Sequence, residues 1–281
     1  MKDRIDEIIK AALLEDIGKG DITTLAIIPE NTFGEADFLI KDRGIIAGLD
    51  IVEKVFRFVD PKIEFVKYFK DGSQVKPGDI VCSVKGKAAS ILTVERTALN
   101  FFQRMSGIAS MTKIIQQKIE HTNAKIVDTR KTAPGLRILD KLAVKLSGYI
   151  NHRMGLYDMF LIKDNHIAVA GSISKAVSLC KNYRTKNNLT YKIEVETKNI
   201  EEVKEAVDCI VDIIMLDNFQ ISKMKESVQL INGRCKIEAS GNVSIDNVTD
   251  IAETGVDYIS IGALTHSVKA LDISLNIKAG S

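Results

Sequence analysis

Apolar residues recur along this chain in two rhythms, and the change from one to the other divides it. Over residues 2–15, Ile5, Ile8, Ile9, Ala12 and Leu13 fall at i, i+3, i+4, i+7 and i+8, a spacing that gathers them on one face and predicts an amphipathic helix. Gly18 and Gly20 end it, and Asp21-Ile22-Thr23-Thr24 reads as the start of a loop. Alternation around 33–41 and 62–69 predicts antiparallel strands, separated by a helical run at Ile51, Val52, Val55, Phe56 and Val59. The turn-forming stretch Asp71 to Asp79 reads as a structural hairpin. From Ala88 to about His121 the pattern is helical, with a break expected at Ser106-Gly107. Residues 1–107 therefore read as a small α+β domain and 108–281 as a second one.

After about residue 124 the rhythm becomes strand, loop, helix. Short apolar runs at 125–127, 159–162, 192–195, 212–216, 236–239 and 258–261 predict six strands. Helical stretches near 136–146, 172–185, 199–207, 220–231 and 244–254 separate them, which implies a parallel α/β architecture. Each strand ends in polar or small residues: Asp128/Arg130/Lys131, Lys163, Glu196, Asp217-Asn218, Ser240-Gly241-Asn242 and Gly262. An open doubly wound sheet would need such groups only where its strand order reverses. Their presence at every strand end argues for a barrel whose C-terminal mouth is the site. Six strands are fewer than eight, so closure is expected to be incomplete. A last helix from about His266 is expected to cap the barrel or return to the N-terminal unit.

Composition narrows the partners. The chain has 281 residues and a net charge of +2, which gives no reason to expect nucleic acid or an anionic membrane as the main partner. Its four cysteines, Cys82, Cys180, Cys209 and Cys235, show no metal or redox spacing, as suits reduced thiols in a cytoplasmic protein. No apolar run approaches 18 residues, and acids stand among the first residues, so neither a membrane span nor a signal peptide is expected.

Against that balanced background, the basic residues between 128 and 166 stand out. Asp128-Thr129-Arg130-Lys131, Asn151-His152-Arg153 and Lys163-Asp164-Asn165-His166 lie within forty residues. Cations gathered at one rim repel each other, so a strongly anionic small ligand is expected among them. Arg130 and Arg153 can each grip a carboxylate or phosphate bidentately, while Lys131 and Lys163 act as point charges. His152 reads equally as a ligand donor or a structural histidine, and His166 as a residue that orients its loop. Glu196 and Asp217 at one mouth suit a Mg²⁺ held by few protein ligands and bridging to a phosphorylated substrate; pairing with Lys131 or Lys163 is the other reading. Glu194 shares a strand face with Glu196 and reads as a second ligand or a buried partner. Ser240-Gly241-Asn242 and Gly262-Ala263 follow strands and are expected to open helices, where exposed backbone N–H groups bind phosphate.

These motifs together closely resemble the quinolinate phosphoribosyltransferase family. The resemblance rests on Glu95–Asn100, Ser106–Ala109, Asp128–Arg137, Asn151–Leu156, Lys163–His166, Glu194–Glu196, Leu216–Phe219, Glu238–Asn242 and Ile261–Ser267, and on 13–24 and the Arg43 region. It runs nearly end to end. It implies an N-terminal open-faced α/β sandwich domain, an incomplete TIM-like α/β barrel, and a site shared between the subunits of a homodimer. The implied reaction joins quinolinate to phosphoribosyl pyrophosphate with Mg²⁺, releasing pyrophosphate and CO₂. By the same resemblance Arg96 is contributed by the partner, and Thr129, Arg130, His152, Arg153 and Lys163 hold quinolinate. Lys131 lies near substrate and pyrophosphate, Glu196 and Asp217 meet ribose and metal, and the Ser240 and Gly262 turns take the 5′-phosphate. One departure is Ser147-Gly148-Tyr149-Ile150, where the family carries a run of glycines before Asn-His-Arg.

Overall fold

The computed structural model describes residues 2–279, and the chain divides into two compact units. The first comprises 1–113, 132–148 and 265–281, and the second 114–131 and 149–264. The first boundary along the chain lies after Lys113. It falls inside a helix, and the helix Arg137–Leu146, expected between two barrel strands, belongs to the first unit.

The first unit is built on a four-stranded antiparallel sheet in the order Ile273–Ala279, Phe33–Ile40, Ile80–Lys87, Glu64–Lys67. Phe38 projects from the sheet fully buried and meets Phe56 and Phe102 edge-on, with ring centroids 6.0 Å apart in each pair. Those partners come from the helices Leu49–Val59 and Ala88–Lys118, so the apolar stripes of the helices cover the apolar alternation of the strands. The Asp71–Asp79 turn is structural, as expected: the Asp71 carboxylate caps the helix at 49–59 by accepting from the Gly48 and Leu49 N–H groups. Asp21-Ile22-Thr23-Thr24 is not a loop but the capped start of the helix Ile22–Ile27, Asp21 accepting from the Thr24 N–H and hydroxyl.

Two further expectations do not hold. The helix Ala88–Lys118 runs through Ser106-Gly107 unbroken for 31 residues. Its small residues serve close packing: Ser106 and Ser110 hydroxyls accept from the Ala47 and Ile45 N–H groups. A Cβ on Gly107 would lie 2.2 Å from the Lys269 carbonyl oxygen. The chain after His266 also does not form a last helix. A short helix Ala263–His266 gives way to the strand Ile273–Ala279, which pairs antiparallel with Phe33–Ile40.

The second unit holds six parallel strands in the order Phe160–Ile162, Ile193–Thr197, Ile213–Asp217, Lys236–Ser240, Tyr258–Ser260, Lys125–Val127. This is the chain order with the first strand moved beside the last, a ring cut open between 125–127 and 160–162. The fold is thus an incomplete barrel. A single parallel bridge from Val127 to Ile150 lies in the gap. Ile193–Thr197 is buried at all five positions, as a strand covered on both faces requires. Among the described residues no helix is long and apolar enough to cross a membrane.

Candidate active site

Strands in this barrel place alternate residues on the same face, and the register sets their neighbours. Glu196 is opposite Met215, so Asp217, two residues on, shares its face one step nearer the mouth; Asp217 in turn is opposite Ser240. Glu194 lies one step below Glu196 on the same face. The barrel mouth therefore receives carboxylates from two adjacent strands and a serine from the third.

The segment 149–153 crosses the gap in the ring and is fastened from below. Asp128, fully buried beyond the strand 125–127, accepts from the His152 N–H at 2.9 Å and from the Asn151 amide. The His152 ring turns inward, its Nε2 lying 3.1 Å from Glu194 and 3.5 Å from Glu238, both buried. Its Nδ1 accepts from the Arg153 N–H at 2.8 Å. Arg153 reaches the Met159 carbonyl through Nη1, and Asp158 holds the following turn by accepting from the Met154 and Gly155 N–H groups. Burial and the neighbouring Arg130 both push the Arg153 pKa down, while Glu194 and Asp158 oppose the shift. Arg130 thus adds a second positive charge that Arg153 feels, and two such charges in one unit attract a multiply charged anion.

Lys163 follows the strand 160–162 and caps the helix Asp164–Ala170. Its ammonium donates to Glu196 at 2.8 Å, and its N–H donates to His166 Nδ1 at 3.0 Å. His166 is thus the loop-orienting residue anticipated from sequence. Thr129 and Arg130 are half-buried; Lys131 is exposed, its N–H donating to the Thr129 hydroxyl.

Only one of the two small-residue turns opens a helix directly as expected. Ser240-Gly241-Asn242 leads into a loop, and the helix begins only at Val248; Gly262-Ala263 opens a helix of just four residues. The first turn is nonetheless built for exposed backbone. Gly241 and Asn242 take φ values of 91° and 49°, and Asn218 one of 56°. Asn242 donates to the Asn218 side-chain oxygen, Asn218 donates to Asp217, and the Asn218 N–H donates to the Ser240 carbonyl. A Cβ on Gly241 would stand 2.3 Å from Asn218 Oδ1. This ties the strand ends 217 and 240 together.

The structure therefore brings Arg130, His152, Arg153, Lys163, Glu196, Asp217 and Ser240–Asn242 into one unit with Thr129, Lys131, Gly262 and Ala263. Arg96 belongs to the other unit, exposed on the helix Ala88–Lys118 beside the buried Thr97. Glu238, buried 3.5 Å from His152, is a residue that sequence reasoning did not single out. The signal is present, since it stands two residues before Ser240 and so shares its face. Glu194 is a buried partner of His152 rather than an exposed ligand.

Removal from water pushes both buried glutamates up, Glu194 to about 7 and Glu238, beside the Glu194 charge, to about 8. A carboxyl group whose pKa rises on folding favours the fold most below its unfolded value, and that contribution is lost as pH climbs through the folded pKa. Stability should therefore fall by at least ~3 kcal/mol between pH 5 and pH 9, since a tenfold change in proton affinity corresponds to about 1.4 kcal/mol. Glu238→Gln should flatten this slope. Urea unfolding midpoints of both proteins at the two pH values check this; an unchanged slope in the variant would refute it.

Comparisons with known proteins agree with this geometry. Residues 21–106 match the family model for the quinolinate phosphoribosyl transferase N-terminal domain, and residues 108–276 that for the C-terminal domain. A quinolinate phosphoribosyltransferase [decarboxylating] from Nicotiana tabacum is 48% identical over 97% of this chain and 82% of its own length. A probable nicotinate-nucleotide pyrophosphorylase [carboxylating] from Bacillus subtilis is 41% identical over 98% and 93%. The crystal structure of NadC from Streptococcus pyogenes superposes with a TM-score of 0.94 at 38% identity, covering 100% of this chain and 99% of that one.

Proposed function

The chain belongs to the quinolinate phosphoribosyltransferase family, and from that premise we propose which groups at its barrel mouth hold and activate the two substrates. The enzyme transfers phosphoribose from phosphoribosyl pyrophosphate to quinolinate with decarboxylation, giving nicotinate mononucleotide, pyrophosphate and CO₂ in NAD biosynthesis. The observation that carries the assignment of roles is that Lys163, held by Glu196 at 2.8 Å, and Arg153, fastened to the buried His152, stand in one unit with Arg130. A pyridine dicarboxylate offers two anionic groups with which such a set can pair.

Arg130, Arg153 and Lys163 take the quinolinate carboxylates, with Thr129 shaping the strand end and His152 holding the turn beneath. Lys131 extends into solvent toward the pyrophosphate. The left-handed turn at Ser240-Gly241-Asn242 presents N–H groups to the 5′-phosphate, joined by Gly262 and Ala263. The homodimer supplies a further cation, Arg96 of the partner subunit. Free cysteines support a reducing cytoplasmic setting, and the near-balanced charge supports neither nucleic acid nor membrane as a partner.

Glu196 and Asp217 fit a Mg²⁺ ion, which favours one or two carboxylates together with waters and substrate phosphates. They present hard oxygens from the same face of adjacent strands. Such an ion, when bound, neutralises charge on the departing pyrophosphate. The residues of the chain do the rest. The cationic set fixes the ring so that its nitrogen faces the anomeric carbon. Glu196 and Asp217 stabilise positive charge that develops on the ribose as the bond to pyrophosphate lengthens, and Lys131 meets the leaving group. Once the ring nitrogen is alkylated, its positive charge stabilises the electron pair left on the adjacent ring carbon as CO₂ departs, and that carbon then takes a proton from water to give nicotinate mononucleotide. No covalent enzyme intermediate is required.

The test is to mix the protein with quinolinate, phosphoribosyl pyrophosphate and Mg²⁺ and follow CO₂ release. Turnover is expected, with Arg153→Ala raising the quinolinate KM about a hundredfold, as loss of a paired charged hydrogen bond implies. Turnover with another anionic base alone would overturn the substrate assignment. Binding without turnover would mark a sensor instead.

A further inference from the structure

Beneath the cations of the rim lies a buried layer of acidic groups gathered on His152. His152, Glu194 and Glu238 offer ligand atoms that all lie within 4.8 Å of one another. Such a trio invites assignment as a metal site. Proton placement decides against it. His152 Nδ1 accepts the Arg153 N–H, so Nδ1 carries the lone pair and Nε2 carries the proton. A metal at Nε2 would need the opposite tautomer, with Nδ1 protonated and donating. That proton would point at the Arg153 N–H.

The trio instead forms a chain of donors and acceptors. The Arg153 N–H donates to His152 Nδ1, and His152 Nε2–H donates to Glu194 Oε2. Glu238 Oε2 lies 3.5 Å from the same His152 Nε2, so the two carboxyl groups flank the ring nitrogen together. Glu194 and Glu238 sit on strands separated by Ile213–Asp217, so the chain spans three strands of the barrel. It ends at the backbone of Arg153.

We propose that Glu194 and Glu238 are positioning residues for quinolinate: by fixing the His152 ring they fix the Arg153 backbone across the gap in the barrel, and so aim its guanidinium at a substrate carboxylate. The two carboxyl groups act from beneath, through His152, without touching substrate. The gap makes the device necessary. No ladder of strand hydrogen bonds runs through 151–153, and the rigidity that a strand would provide comes from Asp128 on one side and the buried pair on the other. This inference rests on the proposed role of Arg153.

The experiment compares Glu238→Ala, Glu238→Gln and Arg153→Ala in steady-state kinetics with quinolinate and phosphoribosyl pyrophosphate varied separately. Glu238→Ala should raise the quinolinate KM at least tenfold and leave the phosphoribosyl pyrophosphate KM within twofold. Glu238→Gln, which keeps an accepting oxygen, should recover most of that loss. In the double variant, Glu238→Ala should add no more than twofold to the effect of Arg153→Ala, because both act on one contact. ¹⁵N spectra of His152 should show the Nε2–H form in the parent protein and exchange between tautomers in Glu238→Ala. If Glu238→Ala alters only stability, or changes both KM values equally, the positioning role is wrong. If Arg153→Ala itself leaves the quinolinate KM unchanged, the assignment of Arg153 has failed, whatever Glu238 does.

Discussion

Replacing Lys163 with alanine is expected to lower kcat/KM about a thousandfold while leaving the protein folded. The Lys163 ammonium lies 2.8 Å from Glu196, a carboxylate with only 9% of its surface exposed. Truncation removes one cation from the quinolinate site and leaves Glu196 without its partner. Truncating a charged partner at a desolvated ligand contact costs about 2–5 kcal/mol of binding, and about 1.4 kcal/mol corresponds to tenfold in rate. The fold should survive because the local anchor is the backbone: the N–H of residue 163 donates to His166 Nδ1 whatever the side chain. Rates of CO₂ release together with circular dichroism check both parts. Mixing this variant with Arg96→Ala tests the shared site as well. Random exchange between dimers should restore roughly a quarter of the sites, since half the dimers are mixed and each holds one intact site. Absence of recovery, with subunit exchange demonstrated, would remove Arg96 from the partner's site.

Gly107→Ala should have the largest effect on stability, costing about 3 kcal/mol or preventing folding. An added methyl would meet the Lys269 carbonyl oxygen at 2.2 Å and lie 3.1 Å from the Ala270 Cα. These neighbours are backbone, and they cannot step aside as a side chain would. Overpacking of this kind costs typically 1–3 kcal/mol even where side chains absorb it, well above the ~1 kcal/mol by which alanine otherwise favours a helix over glycine. The segment is also tied down nearby, where the Leu271 N–H donates to the Gln103 carbonyl. Denaturant unfolding measures the loss. A variant more stable than the parent would show that the helix and the 269–271 segment are not in contact as described.

That glycine illustrates what the sequence could and could not convey. Ser106-Gly107 carries the local mark of a helix break, and only the distant 269–270 backbone explains why a glycine belongs inside a continuous helix. The six barrel strands were legible because each is a short apolar run closed by polar residues, and their ends named the mouth. The stretch 273–279 is a strand where a helix was expected, although it carries its own signal: Ile273, Leu275 and Ile277 alternate with Ser274, Asn276 and Lys278. The helix 137–146 forms at the expected residues but in the other unit, because the periodicity of a helix does not say what it covers. Of the site, the basic clusters and the late carboxylates stood out by composition. The His152–Glu194–Glu238 chain did not, for its members are 42 and 86 residues from the histidine and meet only when the strands are laid side by side.

The pairing of Phe33–Ile40 with Ile273–Ala279 also bears on how the molecule is made. Ile40 and Ile273 face each other in register but are separated by 233 residues of chain. At ribosomal rates of about 5–20 residues per second, the earlier strand waits on the order of ten seconds or more for its neighbour. Throughout that interval one border of a nascent sheet has unclaimed backbone donors and acceptors, ready to recruit another polypeptide. Glu35 and Asp37 stand on that border, where their charge discourages such recruitment until Lys278 arrives and forms an ion pair with each of them.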